Sequence, residues 1–288
     1  MRSYECKARA KINISLDILS KREDGYHELK MIMQTVNFGD FVYIERKSTG
    51  IQVLSDSKYA PAGARNIAYK AAKEMCKRFE ITDGIKIILK KKIPVASGLA
   101  GGSADAAAVL IGINRIFALG CADEVLAEVG KTLGADVPYC IYGGTMLAEG
   151  TGEKLTRLPA IPEADILIVR PEIIVSTKWV YEKFKLKDVK DRPDTDLLIK
   201  AIENKDIVLL AKNMKNVLES VTEVKYPIIS QIKLDMINMG ADGSMMSGSG
   251  PSVFGIFTDK EAGKACYEHF KKLDNVKSIY TKITNKIF

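Results

Sequence analysis

Apolar and polar residues alternate along much of the first part of the chain, as is typical of β-strands. This alternation predicts strands at 3–18, 41–46 and 51–54, and the apolar run Ile85–Leu89 predicts a fourth. Each of these segments ends near residues that favour turns. The first half of the chain is therefore predicted to be rich in strands.

A repeat of three to four residues predicts helices between and after these strands. Three such helices are expected. The first is capped by Asn66, the second begins near Ser103, and the third is capped by Asp123. Their apolar positions fall on one face of each helix. These positions are Ile67, Ala71, Met75 and Phe79 in the first, Val109, Leu110 and Ile113 in the second, and Val125, Leu126, Val129 and Leu133 in the third.

The second half of the chain has a different pattern. A Gly-rich segment at 143–152 and two prolines precede Asp165–Val169, which reads as a buried strand. Residues 177–240 read as mainly helical, with the helical region ending at Gly240. The segments Ser252–Phe257 and Val276–Ile283 are predicted strands on either side of a helix at 259–272.

This order of elements indicates an α+β architecture with two lobes. We place the boundary near 150–163, which gives an N-terminal domain at 1–155 and a C-terminal domain at 156–288. A chain of 288 residues with 47% hydrophobic residues has enough apolar material for real cores.

Cysteine usage and charge narrow the class of protein. The five cysteines are scattered without a CxxC pair, which favours reduced thiols and a cytoplasmic location; they are Cys6, Cys76, Cys121, Cys140 and Cys266. The formal net charge of +7 is dispersed, and we interpret most of it as a solvated face, with attraction of phosphate as a secondary contribution. The N-terminus lacks the apolar region of a signal peptide, and the small-apolar stretch 93–113 is interrupted by Asp105, Gly and Ser. We expect a soluble protein that does not bind membranes.

A Gly-rich loop between a predicted strand and a predicted helix is the most informative segment. Glycines let backbone N–H groups approach an anion, and the following helix N-terminus carries a positive dipole end. Ser103 adds a hydroxyl that can reach a phosphate or a magnesium ion. The predicted phosphate-binding residues are Pro94, Val95, Ala96, Ser97, Gly98, Leu99, Ala100, Gly101, Gly102, Ser103 and Ala104.

Two other phosphate-binding motifs do not fit the chain. A Walker A loop would end at Gly130-Lys131-Thr132, but Val125 occupies the position of its first glycine, in a segment that reads as a helix. The GxGxxG fingerprint of dinucleotide-binding folds does not occur.

Three further segments make the loop more specific. Lys11 and Asn13 are expected on the same side of a strand. Asp136 lies on the constrained segment 134–138, just after a helix. The glycine-rich stretch Ser247–Pro251 leads directly into a predicted strand. Each has an ordinary structural explanation when taken alone.

In this order and at these spacings, the segments AKIN, PVASGLAGGSADAA and SGSGPSVF resemble the GHMP superfamily of small-molecule kinases. The resemblance covers nearly the whole chain. It implies a two-lobed GHMP-kinase fold, with a ribosomal-protein-S5-like N-terminal domain for ATP and catalysis and an α/β C-terminal domain on the substrate side. The element GYHEL at 25–29, with AKIN and GADVP, is closest to the branch that phosphorylates a 2-hydroxyl of a cytidine-diphosphate-linked alcohol in non-mevalonate isoprenoid synthesis.

The resemblance also implies roles for individual residues. Asp136 would be the general base, and Lys11 would offset negative charge on the transferred group. ATP, with Mg²⁺ bridging its phosphates, would lie on the 94–104 loop, with Asn66 and Lys92 on the adenine side. The residues on the side of the small-molecule substrate would be Asn13, Tyr26, His27, Tyr181, Ser247 and Gly248.

The glycine loop departs from the family pattern, because alanine or serine stands at 96, 97, 100 and 104. An added methyl group is tolerated where φ is negative and harmful where φ is positive. Two alternatives stay open at this point: another GHMP kinase whose alcohol lacks cytosine, and an RNA-binding module. RNA binding would require exposed aromatics interleaved with basic residues on a strand, a pattern that the chain lacks, so no nucleic-acid partner is expected. The oligomeric state is not predicted.

Overall fold

A computed structural model of the chain describes residues 1–287. In that part of the chain the strands are β1 (Ser3–Lys21), β2 (His27–Lys47), β3 (Ile51–Ser55), β4 (Gly84–Lys90), β5 (Thr145–Gly150), β6 (Lys154–Arg157), β7 (Asp165–Pro171), β8 (Lys215–Asn216), β9 (Gly243–Met246), β10 (Val253–Phe257) and β11 (Val276–Lys282). The α-helices are α1 (Ile67–Arg78), α2 (Gly101–Ile116), α3 (Asp123–Leu133), α4 (Val137–Tyr142), α5 (Thr177–Lys183), α6 (Thr195–Glu203), α7 (Ile207–Lys212), α8 (Glu219–Lys225), α9 (Ile228–Asn238) and α10 (Lys260–Lys271). Two short 3₁₀ helices lie at Gly63–Arg65 and Leu186–Asp188.

The first sheet is built around the long antiparallel hairpin of β1 and β2. Its strand order is β3-β4-β2-β1-β8, and the first half of β2 also pairs with β5, which pairs with β6. The β3–β4 and β1–β8 pairs are parallel. β8 comes from the second half of the chain, so that half completes one edge of the first sheet.

Register shifts in β1 reverse the faces of the sheet on which the side chains of its middle section lie. The pairing of β1 with β2 shifts between Arg9 and Lys11 and again between Asn13 and Ser15. Ala8 and Leu16 belong to the apolar core that contains α2, whereas Ile12 belongs to a second core. Because neighbouring side chains of a strand point to opposite faces, the shifts place Lys11 and Asn13 on the α2 side of the sheet.

The second sheet has the order β11-β7-β10-β9 and is antiparallel throughout. One core lies largely between the first sheet and helices α1 to α4. The run of buried alanines in α2, from Ala104 to Ala108, lets this helix pack closely in that core. The second core fills the space between the two sheets and includes Ile12 and Phe254. The phosphate-loop candidate and the AKIN segment lie where these cores meet.

The fold confirms the predicted α+β class with two lobes, and most predicted strands and helices are present. Asn66 caps α1 through a hydrogen bond from the Ala68 amide to its side chain, as expected. Asp123 was predicted as a cap, but it is the first residue of α3, and Ala122 occupies the capping position without a side-chain hydrogen bond.

Several elements were missed because their signals are weak. The first half of β2 was not predicted, and neither was β5, which lies inside the Gly-rich 143–152 segment and pairs with β2. The short elements β6, α4, β8 and β9 also have too few residues to show a period. Within residues 1–287, no helix has both the length and the apolar character needed to cross a membrane.

Candidate active site

A cleft of about 1060 Å³ runs between the two halves of the chain. β1, the 91–100 loop and the start of α2 form one part of its wall, and α5 and the 247–250 turn form another. Its size suits a ligand larger than a single nucleotide ring. The predicted site residues can be placed against this cleft one group at a time.

The 91–100 loop connects β4 to α2 and presents the N-terminus of that 16-residue helix to the cleft. The Lys11 amide donates a hydrogen bond to the Leu99 carbonyl at 3.2 Å, which ties the loop to β1. The first N–H groups of a helix lack partners within it, and the helix dipole makes this end positive. The geometry therefore suits a phosphate group.

Position 98 requires glycine. Its φ is +78°, and a Cβ there would lie 2.2 Å from the Ser247 carbonyl oxygen. Ser247 Oγ donates a hydrogen bond to the Gly98 carbonyl at 3.0 Å, and the Ser252 amide donates to the Ser97 carbonyl at 3.3 Å. The predicted phosphate loop and the third motif are thus in direct contact.

Two of the alanines that depart from the family pattern occupy left-handed backbone. The φ angles are +53° at Ala96 and +56° at Ala100, and Ala100 is the N-cap residue of α2. An L-residue with a Cβ is strained in this region by about 1–2 kcal/mol. The loop therefore has left-handed backbone at Ala96 and Ala100, and both residues are strained.

Lys11, Asn13 and Asp136 converge at one side of the loop. Lys11 Nζ lies 3.8 Å from Asp136 Oδ2 and donates a 2.7 Å hydrogen bond to Asn13 Oδ1. The Lys11 and Asn13 side chains are buried, whereas the side chain of Asp136 keeps 32% of its surface exposed to the cleft. An ammonium and a reachable carboxylate at this spacing can act on one hydroxyl group between them.

The backbone around Asp136 fixes that carboxylate. α3 ends at Leu133, and Asp136 is the N-cap residue of α4, whose second residue is Pro138. Proline in the first turn of a helix limits φ and needs no N–H partner. The short link between two helices therefore leaves Asp136 little freedom to move away from Lys11.

Aromatic rings cluster at another part of the cleft. The His27 ring lies 5.4 Å from that of Tyr181 and 6.3 Å, edge-on, from that of Phe184. Burial and the nearby charge of Lys21 lower the pKa of His27 below its usual range, so that the imidazole is neutral at neutral pH. Burial and the Asp136 charge raise the pKa of Tyr181. Tyr26 lines the rim and is 66% exposed.

A buried charge cluster lies behind the phosphate-loop candidate. The Lys91 ammonium contacts the carboxylates of Asp40 and Asp105, and Asp40 also accepts a hydrogen bond from the Ile93 amide at 2.8 Å. These contacts join β2, the start of the loop and α2. Most of the positive charge was interpreted as a solvated face, but the Lys91 side chain, in the run Lys90-Lys91-Lys92, is buried instead.

Most of the predicted site residues line the cleft. Those that do are Lys11, Asn13, Tyr26, His27, Asn66, Pro94, Val95, Ala96, Ser97, Gly98, Ala100, Gly101, Gly102, Ser103, Asp136, Tyr181 and Gly248. Four predicted residues are not part of the lining described for residues 1–287, namely Lys92, Leu99, Ala104 and Ser247.

Each of these four has a different environment. Leu99 and Ala104 are buried in the apolar cores, and Ser247 is buried against the loop. The Lys92 ammonium lies 4.9 Å from the centre of the Phe41 ring. Its predicted place on the adenine side stays a prediction.

Sequence reasoning missed other residues that line the cleft. Phe184 lies three residues after Tyr181, on the segment that follows α5, and Thr177 donates to or accepts from Ser249 Oγ at 2.8 Å. Lys21, Lys91 and Asp105 also line it. The helical spacing of Tyr181 and Phe184 was a usable signal, whereas the ion pairs between distant segments left no local pattern.

The cleft has few side-chain ligands for a metal ion. Among residues 1–287, no three side chains of His, Cys, Asp or Glu are grouped as a metal site would require. Magnesium usually binds through one or two carboxylates together with substrate phosphates. The cleft fits that mode, since the carboxylate of Asp136 and the hydroxyl of Ser103 face the same space as the loop.

Comparison with known proteins defines the class. Residues 66–144 match the model for the GHMP kinases N terminal domain, and residues 198–275 match that for the GHMP kinases C terminal domain. The chain belongs to the GHMP kinase family. A homoserine kinase from Cytophaga hutchinsonii, 24% identical, has the same fold with a TM-score of 0.79 over 99% of this chain and 95% of its own.

Within that family the group is also clear. A 4-diphosphocytidyl-2-C-methyl-D-erythritol kinase from Acetivibrio thermocellus is 54% identical over 94% of this chain and 96% of its own length. A protein of the same name from Lachnospira eligens is 48% identical over 99% of both chains. A crystal structure of 4-(cytidine 5'-diphospho)-2C-methyl-D-erythritol kinase, 28% identical, has a TM-score of 0.85 and covers 98% of this chain and 100% of its own. The chain is a member of this kinase group.

Replacing Ala96 by glycine should relieve strain in the loop. The side chain is exposed and little packing is lost, so the Ala96→Gly variant should be more stable by about 0.5–1 kcal/mol. Urea unfolding measures the change. Ala265→Gly, at an exposed position inside α10, is the matched control and should be less stable by about 0.5–1 kcal/mol. A loss of stability in both variants would contradict strain at Ala96.

Asp105 should make stability depend on pH. Burial raises the pKa of Asp105 to about 7 from 3.8; Lys91 opposes this shift, and Asp40 adds to it. Between these values the folded protein holds a proton that the unfolded chain releases. This group's contribution to folding is therefore present at low pH and lost as the pH rises toward 7, by at most about 1.4 kcal/mol per pH unit.

The Asp105→Asn variant lacks this titration. Urea titrations give the free energy of unfolding of the wild type and of Asp105→Asn. The difference, wild type minus variant, should fall as the pH rises from 5 to 7. Asp274→Asn, in an exposed turn, leaves the buried cluster intact and is the control, which should keep the pH dependence of the wild type. A constant difference for Asp105→Asn as well would refute the proposed origin of the pH dependence.

Proposed function

We propose that this kinase transfers the γ-phosphoryl group of ATP to the 2-hydroxyl of 4-diphosphocytidyl-2-C-methyl-D-erythritol, giving the 2-phosphate and ADP. The relatives named above carry this alcohol in their names. The observation that carries the proposal is the meeting of Lys11 Nζ and Asp136 Oδ2, 3.8 Å apart, beside the N-terminus of α2. The reaction would serve non-mevalonate synthesis of isoprenoid precursors.

Asp136 is the proposed general base. Its exposed carboxylate would accept the proton of the 2-hydroxyl as the oxygen attacks the γ-phosphorus. A carboxylate is a weak base for an alcohol, but most of the catalysis in phosphoryl transfer comes from positioning and electrostatic stabilisation. Proton removal late in the reaction is therefore sufficient.

Lys11 and Asn13 complete the proposed catalytic group. The Lys11 ammonium would offset the negative charge that grows on the transferred phosphoryl group. Its hydrogen bond to Asn13 and its burial hold it in one position before any ligand binds. Such preorganisation means that little reorientation is needed during the reaction.

The phosphates of ATP are assigned to the 94–101 loop and the first N–H groups of α2. Gly98, Gly101 and Gly102 allow the backbone to approach them, and Ser103 and Asn66 line the same part of the cleft. Mg²⁺, held by Ser103 together with the phosphates, would neutralise phosphate charge when bound. The division of roles follows the proposed domains, with residues 1–155 for ATP and catalysis and residues 156–288 contributing to the substrate side.

The cytosine ring is assigned to His27, Tyr181 and Phe184. A neutral imidazole can both donate and accept a hydrogen bond, which suits one edge of cytosine. The two aromatic rings beside it provide faces on which a base can stack. Tyr26, at the exposed rim, would cover the base on binding.

The direct test is release of ADP, coupled to a spectroscopic readout, with the purified protein, ATP, Mg²⁺ and 4-diphosphocytidyl-2-C-methyl-D-erythritol. Turnover with this alcohol is expected, with much slower turnover of homoserine or mevalonate. If one of those alcohols is the better acceptor, the proposed substrate is wrong although the kinase class stands.

Loss of the base should remove turnover but not nucleotide binding. Asp136→Asn keeps the shape of the side chain and should lower kcat by about 10²–10⁴-fold. Lys11→Met should lower kcat by about 10²–10³-fold. Asp123→Asn, at an exposed position in the first turn of α3, is the control and should match the wild type. A kcat close to that of the wild type in Asp136→Asn would exclude Asp136 as the base.

His27→Ala should act on the cytidine end alone. We expect a higher KM for the cytidyl alcohol and an unchanged KM for ATP, because His27 lies among the aromatic rings rather than at the phosphate loop. His269→Ala is the matched control, because His269 is the other histidine of the chain and is exposed on α10. An unchanged KM for the alcohol in His27→Ala would remove His27 from base recognition.

A further inference from the structure

The short strand β8 brings a buried amide to the back of the candidate active site. Asn216 pairs with Leu16 in a parallel register, and the Val217 amide donates a hydrogen bond to the Leu16 carbonyl at 3.0 Å. The same β1 strand carries Lys11 and Asn13 a few residues earlier. Asn216 is therefore anchored to the strand that holds the proposed catalytic group.

The side chain of Asn216 makes three hydrogen bonds, all to backbone groups, and uses both of its donors. Its Nδ2 donates to the Met246 carbonyl at 2.9 Å and to the Gly248 carbonyl at 2.7 Å, and its Oδ1 accepts from the Leu218 amide at 3.0 Å. The side chain is buried. Since the nitrogen faces two carbonyls and the oxygen faces an amide, only one orientation of the amide is satisfied.

Glu219 holds the same turn from the other side. Its Oε1 accepts a hydrogen bond from the Met246 amide at 2.7 Å, and Lys233 Nζ pairs with its Oε2 at 2.7 Å. Met246 is thus held at its N–H by Glu219 and at its carbonyl by Asn216. The segment 216–219 fixes the chain that enters the 247–250 turn.

The position of that turn determines the position of the phosphate loop. Ser247 contacts Gly98 so closely that a Cβ on Gly98 would lie 2.2 Å from the Ser247 carbonyl oxygen. A Cβ on Gly248 would lie 3.5 Å from Asn13 Oδ1 and from the Gly98 carbonyl oxygen. A displacement of the turn would therefore move Gly98 or open a gap beside Asn13.

From these contacts we infer that Asn216 is a positioning residue for phosphoryl transfer, which sets the 247–250 turn against the phosphate loop and Asn13. Asn216 does not itself line the cleft described for residues 1–287. It acts through the turn, and its role in the reaction rests on the proposed function.

The test is the isosteric variant Asn216→Asp. The new carboxylate keeps the acceptor for Leu218 but places an oxygen against two carbonyl oxygens, which pushes the turn away. We expect kcat to fall about 10²-fold, since a displacement of about 1 Å can cost that much, and the KM for ATP to rise. Asn216→Ala, which removes the donor without adding repulsion, should lose less activity.

Asn213→Asp is the matched control. The Asn213 amide also donates to a backbone carbonyl, that of Leu209 at 2.8 Å, but at the end of α7. Both variants are assayed well below their unfolding midpoints and normalised to folded protein. Wild-type kcat and wild-type KM for ATP in folded Asn216→Asp would overturn the inference and leave Asn216 a purely structural residue.

Two further outcomes are covered by the same design. If the wild type does not act on the cytidyl alcohol, the proposed function fails. The inference about Asn216 is then tested by the affinity for ADP in the presence of Mg²⁺, measured by calorimetric titration. Affinity at least about tenfold weaker in Asn216→Asp than in Asn213→Asp then supports the inference, and equal affinity overturns it. If Asn216→Asp does not fold, Asn216→Ser, a smaller donor, is measured against the same criteria.

Discussion

The pairing of Lys11 with Asp136 is the interaction on which the site depends. One group is carried by β1 of the first sheet and the other by a short link between two helices, so the core between that sheet and helices α1 to α4 must be complete before they can meet. Both side chains line the cleft, but the ammonium is buried and held in place, whereas the carboxylate is partly exposed. The glycine loop and the N-terminus of α2 lie beside the pair, in a geometry that suits an anion.

Much of this arrangement was predictable from local patterns. The strand alternation around AKIN, the Gly-rich loop before a run of alanines and the constrained GADVP segment indicated which residues belong together. Their spatial meeting came from resemblance to a family rather than from periodicity. The ring cluster was predicted in part, through His27 and Tyr181, whereas Phe184, three residues after Tyr181 at the end of α5, was missed although its spacing was a usable signal.

The contacts that were not predicted join distant segments through charged or polar side chains. Lys91 belongs to a run of three lysines that reads as solvent-exposed, yet it is buried between carboxylates from β2 and α2. Similarly, Asn216 has no local motif that connects it to a turn thirty residues later. Such contacts are decided by tertiary packing, which propensity and hydrophobic period do not record. The positive φ angles at Ala96 and Ala100 likewise contradict the ordinary preference of alanine.

The first two of the three register shifts in β1 have a consequence for how this chain can vary. Between them the strand is turned over, and Lys11 faces α2 only because the shift lies one or two residues before it. Gain or loss of a single residue between Arg9 and Lys11 would send the ammonium into the apolar layer between the sheets and bring an isoleucine to the cleft. Spacing within this short stretch is therefore as strict a requirement as the identity of its side chains.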